Sequence, residues 1–268
     1  IRGNLWALVD HFQDRFQSGD PVAVKGQVTE FDNHLQLTVS QINYATERQY
    51  QKYGFSHDLL FKTVEEPLDN LWDSLMEVIE NLHEPYKKIT QYIFRDHEHK
   101  IRIIPGSIHY DNPIRGGFLK HLVTTSKMSI DILPYYSSLN KDLVLCGILI
   151  HRIGQVECID DDLQSSYTDA GRLVGHVALG INILRETALS FKNISEDILL
   201  KLEHIIISQN SFGDVSAPRA SRFPEAIFIH YIDTLDDRIN IMLDAIANDS
   251  NSEWTDHSNY FRSELYKK

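Results

Sequence analysis

The sequence predicts a mostly helical protein, a bundle of helices behind a small, partial β module. Three observations lead there. Over residues 1–64 apolar residues alternate with polar ones, as in strands. From Pro67 onward they recur at i, i+3, i+4 and i+7, as on helices. The chain has 268 residues, 42% hydrophobic and 24% charged, a size suited to one sizeable domain plus a small one. The expected division is 1–64 and 65–268.

In the β module, Val22, Val24, Gly26 and Val28 alternate with polar residues, as do Leu35, Leu37 and Val39. Asp32-Asn33 between them predicts a two-residue hairpin turn, and Ile1 to Val9 reads as a further strand. Two or three strands cannot bury a core alone. Their partners are missing or lie in the rest of the chain.

In the helical part, Leu68, Leu71, Trp72, Leu75, Ile79 and Leu82 form one stripe, with Pro67 suited to the helix start. Further helices are expected at about 85–95, 117–132, 141–153, 172–189, 196–208 and 224–247. Ser195 caps the helix at 196–208, with Glu196 and Asp197 in its first turn. Pro224-Glu225 opens the last helix in the same way. There is no internal repeat, and the acidic run Asp160-Asp161-Asp162 reads as a solvated loop.

Composition narrows the function. The formal net charge of −12 argues against broad, non-specific nucleic-acid binding and leaves only a local basic groove for it. Two cysteines are too few for a disulfide framework, and Cys146, inside an apolar run, reads as a small buried hydrophobe. No apolar run approaches the roughly 20 residues that span a bilayer. No signal pattern opens the chain, which begins at Ile1 rather than Met. A cytoplasmic protein is expected, without membrane partners; the oligomeric state is not readable.

Four polar residues sit at positions where these helices are apolar: His121, His151, His176 and Asp233. Imidazoles and a carboxylate converging inside a bundle suit a divalent metal. The plainer reading is that they are hydrogen-bonded core residues. His109, His204 and His230 read as structural rather than ligating, and the helical Tyr and Phe residues as core.

Longer motifs sharpen the picture. Gly116-Gly117-Phe118-Leu119-Lys120-His121, the run Tyr167 to His176, Pro224-Glu225-Ala226, and His230-Tyr231-Ile232-Asp233-Thr234-Leu235-Asp236 follow one another in order. In that order they resemble motifs of the HD domain of the YhaM-type 3′–5′ exoribonuclease family, and the tail from Arg262 to Lys267 fits as well. The resemblance covers about 65–268 and implies an HD-type helical bundle with a metal centre. It also implies an N-terminal OB-like module that binds RNA. Gly19 to Gly26 and Leu35-Gln36-Leu37 look like its later strands, and Ile1 to Trp6 like a middle strand, so the resemblance implies that its opening strands are absent from this chain. Residues 1–60 hold five Lys/Arg against seven Asp/Glu, whereas a groove tracking phosphates is usually basic.

The departures fall on the metal positions. Where the family has a His-His pair, this chain has Asp111-Asn112. Its His-Asp is His151-Arg152 here, and Gln155 stands where HD enzymes have Lys. Its Ser-His-His-Gly is Ser208-Gln209-Asn210-Ser211. His121, His151, His176 and Asp233 are kept.

A guanidinium about 4 Å from a divalent ion, at an effective dielectric near 20, costs about 8 kcal/mol. That equals the binding energy of a roughly micromolar site. The simplest expectation is that Arg152 takes the metal's place and pairs with Asp233. The site His121, His151, Arg152, His176, Gln209, Asn210 and Asp233 is then vestigial, with no cofactor and no catalytic residue expected. The function that follows is a non-catalytic scaffold or binding module, with single-stranded RNA or a protein as partner. Two alternatives stay open. One is a residual metal-dependent 3′–5′ exoribonuclease or phosphodiesterase using Mn, Mg or Fe, held by His121, His151, His176 and Asp233, with Asp111 as a substitute ligand. The other is a pocket that takes a small phosphorylated ligand through Arg152.

Overall fold

A computed structural model describes the chain apart from residues 1, 7–11, 13–14, 17–19, 32–33, 56–59, 61, 109–111, 161–164, 192–193 and 210–218. The expected turn at Asp32-Asn33, His109, Asp111, Asn210 and most of the acidic run therefore lie outside the described residues. The chain forms two compact units, Ile1–Lys62 and Thr63–Lys268.

The first unit holds a three-stranded sheet. Strands β1 (Arg2–Asn4), β2 (Val22–Phe31) and β3 (His34–Tyr44) lie in the order β1-β3-β2. The long strands are antiparallel, from Val22 opposite Tyr44 to Phe31 opposite His34, while β1 runs parallel to β3. The register slips between Lys25 and Gly26. A side chain at Gly26 would stand 2.2 Å from the Thr38 carbonyl oxygen, so only glycine fits the bulge. Of the strand expected at Ile1 to Val9, the described part is Arg2–Asn4. Val39 is buried, whereas Val24, Val28 and Leu35 stay exposed.

The second unit is helical. Its helices are α1 (Leu68–Glu80), α2 (Tyr86–Asp96), α3 (Glu98–Ile103), α4 (Gly117–Ile132) and α5 (Lys141–Ile150), then α6 (Gln155–Cys158), α7 (Asp169–Leu173), α8 (His176–Leu189), α9 (Glu196–Ser208) and α10 (Pro224–Asn248). The centre is α5. From Leu143 to Ile150 every residue is buried, as a helix apolar on all sides requires, and α2, α4, α9 and α10 surround it. Asn140 caps its start by accepting the Leu143 N–H, and Ser195 caps α9 by accepting that of Ile198. Among the described residues no helix is long and apolar enough to cross a membrane.

Two helical expectations are corrected. The helix expected over 141–153 ends at Ile150, and His151–Gly154 are turns leading into α6. The cause is a close crossing. A side chain at Gly154 would stand 1.9 Å from the His176 carbonyl oxygen and 2.6 Å from the Gly180 nitrogen, so this turn lies directly against the backbone of α8. The helix expected over 172–189 is two helices. Gly175 between them has φ 81° and ψ 159°, a conformation outside any helix and open mainly to glycine. The apolar spacing runs on past it, which hides the break from a periodicity reading.

Candidate functional site

Three elements meet in a buried polar cluster. At the start of α4, Gly116 has φ 78°, and a side chain on Gly117 would stand 2.1 Å from the Asn112 carbonyl oxygen. The paired glycines let the preceding loop fold tightly onto the helix, and one turn later His121 points inward, 1% exposed. At the end of α5, the chain turns where His151 and Arg152 emerge side by side. From α10, Asp233, Asp236 and Asp237 occupy i, i+3 and i+4 and so share one face.

Asp233 is the hub. Its Oδ1 lies 2.8 Å from Arg152 Nη2, 2.9 Å from His151 Nε2 and 3.3 Å from His121 Nε2. Its Oδ2 accepts a second contact from Arg152 Nη2 at 3.0 Å. The same guanidinium nitrogen also bonds Asp237 Oδ2. The expected buried pair of Arg152 and Asp233 is thus present, and Asp237 makes it a bridge between two carboxyl groups. Each imidazole is fixed from behind. His121 Nδ1 donates to Asp236 Oδ2 at 2.7 Å, and His151 Nδ1 donates to the Ile148 carbonyl at 2.7 Å. Both rings therefore turn Nε2 toward Asp233.

The electrostatics follow. Burial opposes ionisation of Asp233, but Arg152 first, then the two histidines, hold its carboxyl well below the usual range. Burial pushes the His151 imidazole down, against the pull of Asp233.

Whether a divalent metal fits can be judged from these contacts. His121 Nε2, His151 Nε2 and Asp233 Oδ1 lie within 4.8 Å of one another, and both imidazoles have the outer hydrogen bond that orients metal ligands. The donor types suit a transition metal. The charge does not. Both oxygens of Asp233 already face a permanently charged guanidinium, on the oxygen a metal would need. That charge opposes a metal at Asp233.

The remaining expected site residues are elsewhere. His176 begins α8, half-buried, and among the described residues it belongs neither to the group of His121, His151 and Asp233 nor to a second three-donor group of His121, Asp236 and Asp237. Gln209 is buried just past α9 but turns its amide to the Ile205 carbonyl of its own helix, at 3.1 Å. Gln155 opens α6. His204 accepts the Arg222 N–H through Nε2 at 3.0 Å. Burial, then Arg222, keeps its pKa below the ordinary histidine value. His230 stacks edge-on against Tyr231. Two members of the cluster were not read as site residues from the sequence: Asp236, quoted only as the end of a motif, and Asp237. The signal was there: three aspartates at i, i+3 and i+4 in a helix whose other residues on that face, Ala226 and Ile229, are apolar.

No family model and no solved structure matches the chain. Among curated proteins it is similar to the 3′–5′ exoribonuclease YhaM of Bacillus subtilis (strain 168). The two are 25% identical over 257 residues, 96% of this chain and 80% of that protein. The similarity runs through both compact units and supports a likeness to the YhaM type of exoribonuclease.

Proposed function

We propose that this chain is an exoribonuclease-like protein of the HD type whose centre is closed, and that it works as an RNA-associated scaffold or binding module rather than as a phosphodiesterase. One observation carries the reading. Arg152 sits on both oxygens of Asp233 and on Asp237, so a permanent cation inside the bundle already neutralises the carboxylate that would hold a metal. The activity of the Bacillus subtilis relative supports RNA as the ligand class. The net charge of −12 confines RNA contact to a local surface.

The test is a labelled single-stranded RNA assay with Mn or Mg. The unmodified chain should leave the RNA intact, while a variant carrying Arg152→Asp and Gln209→His should gain metal. Shortening from the 3′ end by the unmodified chain, abolished by His151→Ala, would overturn the reading.

A further inference from the structure

Helix α10 buries one side and carries an apolar arc on the other. Its inner face, with Ala226, Ile229, Asp233, Asp236 and Asp237, is buried in the bundle. At 100° per residue, Ile227, Tyr231, Leu235, Ile239 and Met242 fall within an arc of about 120° on the other side, with Leu243 at its edge. These six are 47, 66, 45, 50, 38 and 58% exposed, respectively. Within those 120° there is no carboxylate; Glu225, at the same edge as Leu243, accepts the Asn140 N–H, and the one charged residue of the arc, Arg238, lies over the Tyr260 ring.

At the Pro224 end, the row runs into an apolar groove of about 570 Å³ lined by Ile132, Tyr136, Phe223 and Phe228 together with Ile227 and Tyr231. At the other end stand Met242 and Leu243. Ile227 and Leu243 are equally far from Leu235, so the row is symmetric about that residue.

We propose that this face joins two copies of the chain, their α10 helices antiparallel about Leu235. Each copy's Met242 and Leu243 then sit over the other's groove. Such a contact is self-complementary, as a two-fold interface must be. The area suffices. Six half-open side chains contribute on the order of 80–100 Å² each, so two copies bury about 1,000 Å² before the groove lining is added. That reaches the roughly 1,000 Å² that a biological interface should clear, and the groove lining adds to it. An arc without carboxylates also lets two chains of net charge −12 meet without placing acidic groups face to face.

The experiment is the mass of the full chain by light scattering and sedimentation across the micromolar range. The unmodified protein should have twice the 31.0 kDa chain mass. Leu235→Lys should raise the dissociation constant by about 30-fold or more, with an unchanged circular dichroism melt of the monomer. As a second variant, Leu235→Cys should be linked between copies by a short bismaleimide. The two native cysteines are both buried and give no competing link. A monomer at every concentration overturns the proposal. So does a dimer that Leu235→Lys leaves intact and Leu235→Cys cannot link.

Discussion

Removing the Arg152 guanidinium tests the ion cluster directly. The side chain is 9% exposed and Asp233 is 1% exposed, so Arg152→Ala leaves a buried carboxylate facing only two imidazoles and deprives Asp237 of its cation. Removing one partner of a buried pair costs about 3–5 kcal/mol. For a unit of this size each kcal/mol lowers Tm by about 2–4 °C, so the variant should melt roughly 6–20 °C lower. The assay is calorimetry with chelator present, because a metal entering the vacated space would restabilise the variant and mask the loss. A second arm fixes the cause. Asp233→Asn added to Arg152→Ala should cost less than Asp233→Asn does alone, since the two groups act on each other. A Tm shift of Arg152→Ala within about 2 °C, with additive costs in the cycle, would refute the argument that this pair is buried and coupled.

Three further outcomes are expected. Protein purified without chelator should hold far less than one Mn, Fe or Zn per chain by elemental analysis, and Arg152→Asp should raise that content; near one metal per unmodified chain would contradict it. Stability should fall as pH is lowered from 7. Burial depresses His151, so its contribution is present above about 6.5, and that of Asp233, also depressed, above about 3.9; both are lost in acid. A Tm that rises between pH 7 and pH 4 would sink this account. Gly154→Ala should cost about 1–3 kcal/mol, because its methyl group would meet the α8 backbone rather than a side chain that can move, and an unchanged denaturation midpoint would rule that out.

Much of the helical part was legible because burial and capping leave marks in the sequence. The stripe from Leu68 to Ile79 is the buried face of α1, and Pro67, Ser195 and Pro224 stand where α1, α9 and α10 begin. The break at Gly175 was not legible, since apolar spacing continues through a residue whose backbone alone departs from the helix. The central pair of the cluster could be anticipated from charge, as a cation beside a retained His-and-Asp set has few other places to go. Its extension to Asp236 and Asp237 depended on helix phase. Gln209 could not be placed because a glutamine at a ligand position is free to turn to its own backbone, and it does. In the β module the alternation located both long strands but not the bulge, which depends on how closely Gly26 approaches Thr38.

The reach of the Arg152 guanidinium from Asp233 to Asp237 spans one full turn of α10 and ties it to the end of α5. A tie across a turn changes how that helix opens. Fraying from Asn248 proceeds through residues that are mostly exposed until it meets Ile241, the last buried position, and then the clipped turn. Amide hydrogens beyond Ile241 should exchange by local opening, in short times. Those from Ile232 to Ile241 can exchange only when the α5 junction comes apart with them. Kinetically, one residue makes the end of α5 and the middle of α10 a single opening unit.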